Sequence, residues 1–179
     1  MIYAAIVGGL IVGVVGLLVI IASLRSGDFT IVRSQVIAAS PEQLFPYIDN
    51  LRKFQEWNPF RDKDPNAVNE FVGPEAGVGA TFRWSGNANA GVGIMTIVSS
   101  TPDQKVDIDL EFIKPFPGHN AVEFSLTPQA KETLVTWRMS GKHALIPKIV
   151  GIFLSMDQMI GGEFEKGLKQ LKQLAESPR

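Results

Sequence analysis

Apolar and polar residues alternate along several short stretches between Phe29 and Arg138, and clusters of turn-forming residues separate these stretches. In residues 105–113, for example, four apolar residues are separated by Asp107, Asp109 and Glu111. Such alternation is typical of a strand with one buried face and one face in water. The regular spacing of glycine- and proline-rich turns favours antiparallel hairpins. The pattern predicts strands over residues 29–38, 68–72, 78–85, 92–99, 105–113, 120–126 and 132–142.

Residues 40–58 have the pattern of two short helices inserted between the first and second strands. Ser40 precedes Pro41 and stands three residues before Gln43, which is the capping-box arrangement of a helix start. The second helical piece must end near Asn58, because a residue that precedes a proline avoids the helical region.

A long amphipathic helix is predicted from about Pro147 to Leu174. Its apolar residues recur at steps of three and four, and lysines occupy the opposite side. A helix of this length is expected to cross the concave face of the sheet. The predicted fold class is α+β: a seven-stranded curved antiparallel sheet around a long C-terminal helix, preceded by one N-terminal transmembrane helix.

The N-terminal segment Ile2 to Leu24 contains 23 residues without a charge. As a helix it would be about 34 Å long, enough to cross a bilayer core of about 30 Å. A cleaved signal peptide is the alternative, but it needs a basic start and a shorter apolar run. We expect a retained anchor over residues 1–24, a linker over 25–28 and a globular domain over 29–176.

The charges that follow the anchor favour one orientation. Arg25 and Arg33 lie on its C-terminal side, so the positive-inside rule places the domain in the cytoplasm. Within the anchor, Gly9 and Gly13 form a G-x-x-x-G pair, which permits close approach of two helices in a weak homodimer. Glycine is also common in membrane helices for other reasons, so this pair alone does not establish a dimer.

Composition excludes several classes of function. The chain of 179 residues has 17 basic and 18 acidic side chains, so no basic excess indicates binding to nucleic acid. It has no cysteine, which excludes disulfides, thiolate catalysis and cysteine metal sites. His119 and His143 lack the spacing of metal ligands, and no phosphate-binding or dinucleotide-binding loop is present. We therefore expect no metal and no cofactor.

A set of large apolar side chains is predicted to point into the concave face of the sheet. Ligand pockets are lined mainly by such groups, although the same residues also form ordinary cores. A register error of one residue would move all of the strand residues to the other face. The expected ligand pocket consists of Phe82, Trp84, Met95, Ile97, Ile108, Leu110, Phe112, Phe124, Trp137 and Met139 from the strands, with Phe153, Met156, Asp157, Ile160 and Phe164 from the final helix.

Four residues have more than one possible role. Asp157 falls close to the apolar stripe of the final helix, where it orients the polar end of a ligand, caps a loop or pairs with a nearby base. Gly161 and Gly162 weaken the helix and form either a hinge for a moving lid or a site of close packing. Phe116, in a proline-rich turn, touches a membrane, guards the mouth of the cavity or lies on a hairpin end stiffened by prolines.

Several stretches of the chain resemble the START-related helix-grip (SRPBCC) superfamily, and within it the polyketide cyclase/dehydrase-like branch. They are Ala39-Ser40-Pro41-Glu42, Phe45-Pro46-Tyr47-Ile48, Trp57-Asn58-Pro59-Phe60, Val135-Thr136-Trp137-Arg138-Met139 and Phe164-Glu165-Lys166-Gly167-Leu168. The resemblance covers about residues 29–175. It implies a cavity between the sheet and the long helix, whereas members of the superfamily differ widely in function.

These observations predict a membrane-tethered domain that binds or carries an apolar, lipid-like small molecule. One alternative is a polyketide cyclase- or dehydratase-like enzyme, which would require an acid or base facing the cavity. Asp157 is the candidate for that role. A second alternative is a protein-interaction module like the chaperone-cofactor members of the superfamily, for which a filled interior is expected.

Overall fold

A computed structural model describes residues 13, 27–142 and 156–177 of the chain. In these residues seven antiparallel strands form one sheet in the order β1-β7-β6-β5-β4-β3-β2. Strands that follow one another from β2 to β7 pair as hairpins, and β1 is an edge strand that pairs with β7. The strands are β1 (Asp28–Ile37), β2 (Val68–Val72), β3 (Thr81–Ser85), β4 (Val92–Thr101), β5 (Lys105–Lys114), β6 (Gly118–Gln129) and β7 (Glu132–Lys142).

The alternation in sequence predicted this sheet correctly, including the buried face of the strands β3 to β7. Along β5, for example, Val106, Ile108 and Leu110 are buried, while Asp109 is exposed to solvent. Several strand ends differ from their predictions: β4 extends to Thr101, and β6 spans Gly118–Gln129 instead of residues 120–126. β3 begins at Thr81 because Gly77 and Gly79 adopt positive φ angles of 78° and 90°, a conformation that interrupts an extended strand.

Three short helices connect β1 to β2: α1 (Pro41–Leu44), α2 (Pro46–Asp49) and α3 (Leu51–Phe54). The Gln43 side chain accepts a hydrogen bond of 3.0 Å from the Ser40 N–H, as expected for the capping box. Asn50 caps α3 by accepting the N–H groups of Arg52 and Lys53 at 2.9 and 3.2 Å. A 3₁₀ helix (Pro59–Lys63) follows, and it starts at the proline that was predicted to end the helical segment.

The C-terminal helix α4 (Met156–Glu176) packs against β1, β7 and the 3₁₀ helix. It buries Phe164, Leu168 and Leu171, which belong to the predicted apolar stripe. The predicted beginning of this helix at Pro147, and with it Phe153, lies outside the described residues. The core occupies the space between the concave face of the sheet and the helices.

The predicted anchor, apart from Gly13, and residues 25 and 26 of the linker also lie outside the described residues. The predicted helix contact involves Gly9 and Gly13. Gly13 is among the described residues and is helical, whereas Gly9 lies outside them. Across residues 27–142 and 156–177, the helices are too short or too polar to cross a membrane. Asp28, assigned to the linker from sequence, is the first residue of β1.

Candidate functional site

A cavity of about 250 Å³ lies between the concave face of the sheet, the 3₁₀ helix and the first half of α4. Its exposed wall is mainly apolar. Nine of the residues predicted from sequence line it: Phe82, Trp84, Met95, Leu110, Phe112, Trp137, Met139, Ile160 and Phe164. This volume is just below the range of about 300–1,000 Å³ that is usual for small-molecule pockets.

Three other residues of the predicted pocket are core residues and do not line the cavity. Ile97, Ile108 and Phe124 are at most 1% exposed, and they share the concave face with the lining residues. Phe124 packs edge-to-face against Phe54 and Trp57, with ring centroids 5.9 and 5.7 Å away. The helical segment after β1 therefore fills this end of the concave face. Periodicity identifies the face of a strand, but not which positions along it another element covers.

An aromatic wall closes the cavity on the side of β3. The Trp84 ring stacks on Phe82 at 5.8 Å and meets Phe112 edge-to-face at 5.8 Å. Its Nε1–H donates a 3.0 Å hydrogen bond to the carbonyl oxygen of Ala90, which fixes the orientation of the indole. The ring lies over Gly93 on β4, where a Cβ atom would collide with it. Gly93 is therefore needed for close approach of the ring to the sheet.

A second aromatic group forms the wall next to α4. The Trp137 ring is parallel to Phe164, with centroids 4.0 Å apart and planes at 7°. Trp57 and Phe54 meet Trp137 edge-to-face at 5.6 and 6.0 Å. These contacts hold the indole of Trp137 rigidly, so the cavity keeps this wall without a ligand.

Polar residues of the 3₁₀ helix and its surroundings complete the wall, and none of them was predicted from the sequence pattern. Arg61, Asn69 and Asn89 are exposed and lie where the cavity meets solvent. The lining residues that were missed are Phe54, Gln55, Asn58, Phe60, Arg61, Asp64, Ala67, Asn69, Asn89, Ala90 and Val122. Most of them come from segments without a periodic pattern, so only the aromatic residues near Asn58-Pro59 gave a signal in the sequence.

Two hydrogen-bond donors of the cavity residues are buried and lack an acceptor within the described part of the chain. They are Nε1 of Trp137 and Nε2 of Gln55. The other two indole N–H groups both have partners, because Trp57 donates to the Tyr47 carbonyl at 2.9 Å and Trp84 donates to Ala90. A buried donor without an acceptor costs about 1–3 kcal/mol. These two donors are therefore unsatisfied within the described part of the structure.

Asp157 does not face the cavity, which corrects its assignment to the pocket. Its side chain is 58% exposed and forms an ion pair of 2.9 Å with Arg33 on β1. Arg33 also bonds to Glu165 at 2.6 Å, so one guanidinium links two turns of α4 to the edge of the sheet. The hydrogen bond from Arg33 lowers the pKa of Asp157 and raises that of Arg33. Asp157 is therefore a charged partner of a base, which was the alternative role.

The helix α4 continues without interruption through Gly161 and Gly162. Gly161 is buried, and a Cβ atom there would collide with the Arg33 guanidinium, whose Nε would lie 2.8 Å away. A Cβ atom at Gly162 would meet nothing within 4 Å. Close packing accounts for the first glycine, and the structure gives no packing reason for the second.

Two further residues of the predicted site, Phe116 and Met156, have different outcomes. Phe116 is 45% exposed in the turn between β5 and β6 and is not a lining residue. Met156 is the first residue of α4, and its side chain lies outside the described part of the structure. Among the described residues, no three His, Asp or Glu side chains are grouped as a metal site would require.

Comparison with solved structures places the chain among proteins of the same fold. A truncated norcoclaurine synthase from Thalictrum flavum matches with a TM-score of 0.67 at 10% identity, over 87% of this chain and 98% of the other. The protein CV1439 from Chromobacterium violaceum matches with a TM-score of 0.61 at 18% identity, over 83% and 98% of the two chains.

The Aha1 protein of Colwellia psychrerythraea, solved in solution as a dimer, also matches, with a TM-score of 0.58 at 18% identity over 83% of this chain and 96% of the other. No curated protein matches the sequence. The family model described as "Polyketide cyclase / dehydrase and lipid transport" matches residues 28–176. The chain therefore belongs to this family, within the START-related helix-grip superfamily.

Proposed function

We propose that this protein binds an apolar small molecule in the cavity between the sheet and α4. The observation that carries the proposal is the cavity of about 250 Å³, whose exposed wall is mainly apolar. An aromatic framework holds that wall, and such a void is expensive to maintain unless something occupies it. The family description, which includes lipid transport, agrees with a hydrophobic ligand.

The energy available from burial sets the expected affinity. Removing about 300 Å² of apolar ligand surface from water stabilises a complex by about 7 kcal/mol, before the cost of ordering the ligand is subtracted. A dissociation constant of about 1 µM corresponds to about 8 kcal/mol, so micromolar binding is the upper expectation.

A catalytic function is less well supported by the geometry. Asp157, the acid that was expected to face the cavity, is exposed and paired with Arg33. Asp64 does line the cavity, but its carboxylate accepts the backbone N–H groups of Asn66 and Asn87 at 3.0 and 2.7 Å. These bonds hold the turns around the cavity mouth and assign the carboxylate a structural role.

Native mass spectrometry of the full-length chain, with extracted hydrophobic molecules identified, tests the proposal. Leu110→Trp should fill the cavity and lower the uptake of hydrophobic molecules at least tenfold, because Leu110 is 8% exposed and lines the wall. Ile113→Trp on the same strand is the matched control, since Ile113 is 40% exposed and does not line the cavity. If both variants retain the uptake of the original chain, or if a folded chain takes up no hydrophobe, the cavity is not a binding site.

We further propose that residues 2–24 anchor the domain to a membrane and that the domain lies in the cytoplasm. The support is the uncharged run of 23 residues followed by Arg25 and Arg33. Such an anchor would hold the cavity beside a bilayer, where apolar ligands concentrate. The full-length chain should remain in the membrane fraction after carbonate washing, and a protease added to sealed cells should leave the domain intact. Release by carbonate, or cleavage from outside, would disprove the anchor or its orientation.

A further inference from the structure

We infer that the domain turns one particular end of its sheet toward the bilayer, with Phe116 in the lipid headgroup region and the mouth of the cavity beside it. This inference rests on the proposed function, because it specifies how the anchored domain presents its cavity to the membrane. Two observations carry it. The strand register places the start of β1, the Phe116 turn and the cavity mouth at the same end of the sheet, and the two ends of the sheet differ in polarity.

The strand register groups the start of β1, the β5–β6 turn and the β3–β4 turn at one end of the sheet, which we call the anchor end. The proposed anchor finishes at Leu24, so the chain enters the domain here. The residues that pair at the anchor end are Asp28 with Lys142, Gly141 with Asn120, Phe112 with Gly118, Lys114 with Val92, and Ser85 with Val68.

The short linker keeps the anchor end close to the membrane. Phe29 and Asn120 both pair with Gly141, so they lie at the same level of the sheet. Leu24 is five residues before Phe29, and even an extended chain between them spans at most about 17 Å. Phe116 is four residues before Asn120 and so extends up to about 13 Å beyond that level in the same direction. The tip of the β5–β6 hairpin can therefore reach the level at which the anchor leaves the bilayer.

The connections at the two ends of the sheet carry different side chains. At the anchor end, residues 86–91 and 115–117 contain no charge, and Phe116 at the hairpin tip is 45% exposed. Lys114, at the base of the same hairpin, is also exposed. An exposed aromatic ring beside a lysine suits the headgroups of an anionic leaflet. The connections at the other end contain charged residues and no aromatic ring: they are residues 73–80 with Glu75, 102–104 with Asp103, and 130–131 with Lys131.

The cavity meets solvent toward the anchor end. Phe54 and Trp57, each at most 1% exposed, fill the concave face toward the other end. Asn89, in the β3–β4 turn, is exposed and lines the cavity. That turn packs on the base of the β5–β6 hairpin, since a Cβ atom on Gly91 would lie 2.5 Å from the backbone oxygen of Lys114. The mouth of the cavity therefore adjoins the hairpin whose tip is assigned to the bilayer.

Contact between the mouth and the lipid gives an apolar ligand a path that does not cross water, where its hydration is unfavourable. The anchor alone would hold the domain near the membrane but leave it free to turn about the linker. Phe116 supplies a second point of attachment, because an aromatic side chain is favourable at headgroup depth. Its role is thus to fix the orientation of the domain, with no part in the cavity wall.

The test uses single cysteines, because the chain has none of its own. Phe116→Cys and, as the matched control, Lys131→Cys in the β6–β7 turn are each coupled to an environment-sensitive fluorophore. The full-length chain is held in nanodiscs of phosphatidylcholine and phosphatidylserine that contain a lipid with a nitroxide quencher near its headgroup. The label at position 116 should be quenched severalfold more strongly than the label at position 131, since interfacial groups lie about 5–10 Å deep in the headgroup boundary.

A reporter at Ala88 tests whether the Phe116 side chain itself orients the domain. Ala88 is exposed in the β3–β4 turn and does not line the cavity, so its labelled cysteine variant leaves both the hairpin and the wall intact. Adding Phe116→Asp should lower the quenching at position 88 severalfold, because burial of a phenylalanine side chain shifts such an equilibrium by about tenfold or more. Adding Phe116→Leu, which remains apolar, should preserve it. Circular dichroism checks that each variant is folded.

The outcomes separate this inference from the proposals on which it rests. A label at position 116 that is quenched no more than the label at position 131 would overturn the orientation, even if native mass spectrometry shows a bound hydrophobe. Equal quenching at position 88 in Phe116→Asp and Phe116→Leu would overturn the role of Phe116. Strong quenching at position 116 in a chain that takes up no hydrophobe would support the membrane contact and remove the binding function. Release of the chain by carbonate would remove the anchor, and the inference with it.

Discussion

The ring of Trp137 on β7 lies parallel to the ring of Phe164 on α4, with centroids 4.0 Å apart and planes at 7°. This contact joins the sheet to the long helix at the wall of the cavity. It also explains why the helix position carries a phenylalanine, since Phe164 is 1% exposed and covers one face of the indole. The same pair thus contributes both to the stability of the fold and to the shape of the proposed binding site.

We expect Phe164→Ala to lower the free energy of unfolding by about 3–5 kcal/mol, because it removes a buried ring and leaves a larger void. Met159→Ala on the same helix is the control. Met159 is 55% exposed, so its truncation should change the free energy by less than about 0.5 kcal/mol. Urea unfolding followed by circular dichroism measures both values. A loss below about 1 kcal/mol for Phe164→Ala would contradict the close packing of Phe164 against Trp137.

The two adjacent glycines of α4 should respond in opposite ways to alanine. Gly162→Ala places a methyl group in open space and should stabilise the helix by about 0.5–1 kcal/mol. Gly161→Ala forces the Arg33 guanidinium away from its ion pairs with Asp157 and Glu165, so this gain should be reduced or reversed. Thermal or urea unfolding of the two variants measures the difference.

A double-mutant cycle identifies Arg33 as the cause of that difference. In an Arg33→Ala background, Gly161→Ala should become as stabilising as Gly162→Ala, since the obstructing group is gone. If Gly161→Ala is equally stabilising in the presence of Arg33, the guanidinium does not rest on this part of the helix.

The rate of ligand uptake in Gly162→Ala tests the hinge role, which predicts slower uptake when the helix is stiffened.

The sheet could be predicted from sequence because its information is local. Alternation along β5, with Asp107 and Asp109 between buried apolar residues, identifies both the strand and its inner face. The apolar stripe of α4 likewise predicted the burial of Phe164 and Leu168. These patterns repeat over neighbouring residues, so they can be interpreted without knowing which distant residues they contact.

The site could be predicted only in part because its details depend on contacts between distant residues. Nothing near Asp157 in sequence shows that Arg33, 124 positions earlier, lies beside it and draws it to the edge of the sheet. Phe124 and Trp137 share one face of the sheet, yet only Trp137 lines the cavity, because Phe54 and Trp57 cover Phe124. The donors Gln55 Nε2 and Trp137 Nε1 become notable only when the absence of an acceptor is visible.

The ion pair of Asp157 predicts a dependence of stability on pH. Its pKa in the folded protein is below the usual 3.8, chiefly because Arg33 donates a hydrogen bond to the carboxylate. A group whose pKa is lowered by folding stabilises the protein above its unfolded pKa, and this contribution is lost as the pH falls through the folded pKa. We therefore expect Asp157→Asn to be less stable than the original chain near neutral pH.

The difference between these two proteins should disappear as the pH falls through the lowered folded pKa of Asp157, because the carboxyl group is then protonated. Urea midpoints at neutral pH and at the most acidic pH at which both proteins stay folded measure it. Added salt should reduce the difference at pH 7, because Asp157 is largely exposed and its charge is screened. If the difference is the same at both pH values, the loss of stability in Asp157→Asn does not come from the charge of Asp157.

Gly93 provides a test of the aromatic wall that does not change any aromatic residue. A Cβ atom at this position would collide with the Trp84 ring and would lie 2.5 Å from the backbone oxygen of Glu111, so the ring must turn toward the cavity. Gly93→Ala should lower the free energy of unfolding by about 1–3 kcal/mol, as expected for overpacking. It should also weaken the binding of a hydrophobic probe at least tenfold. The NMR signal of the Trp84 indole N–H should shift, because turning the ring would strain its hydrogen bond to the Ala90 carbonyl.

Gly118→Ala is the matched control, since a Cβ atom there meets nothing within 4 Å. Equal effects of the two substitutions on probe binding would mean that the position of Trp84 does not shape the site.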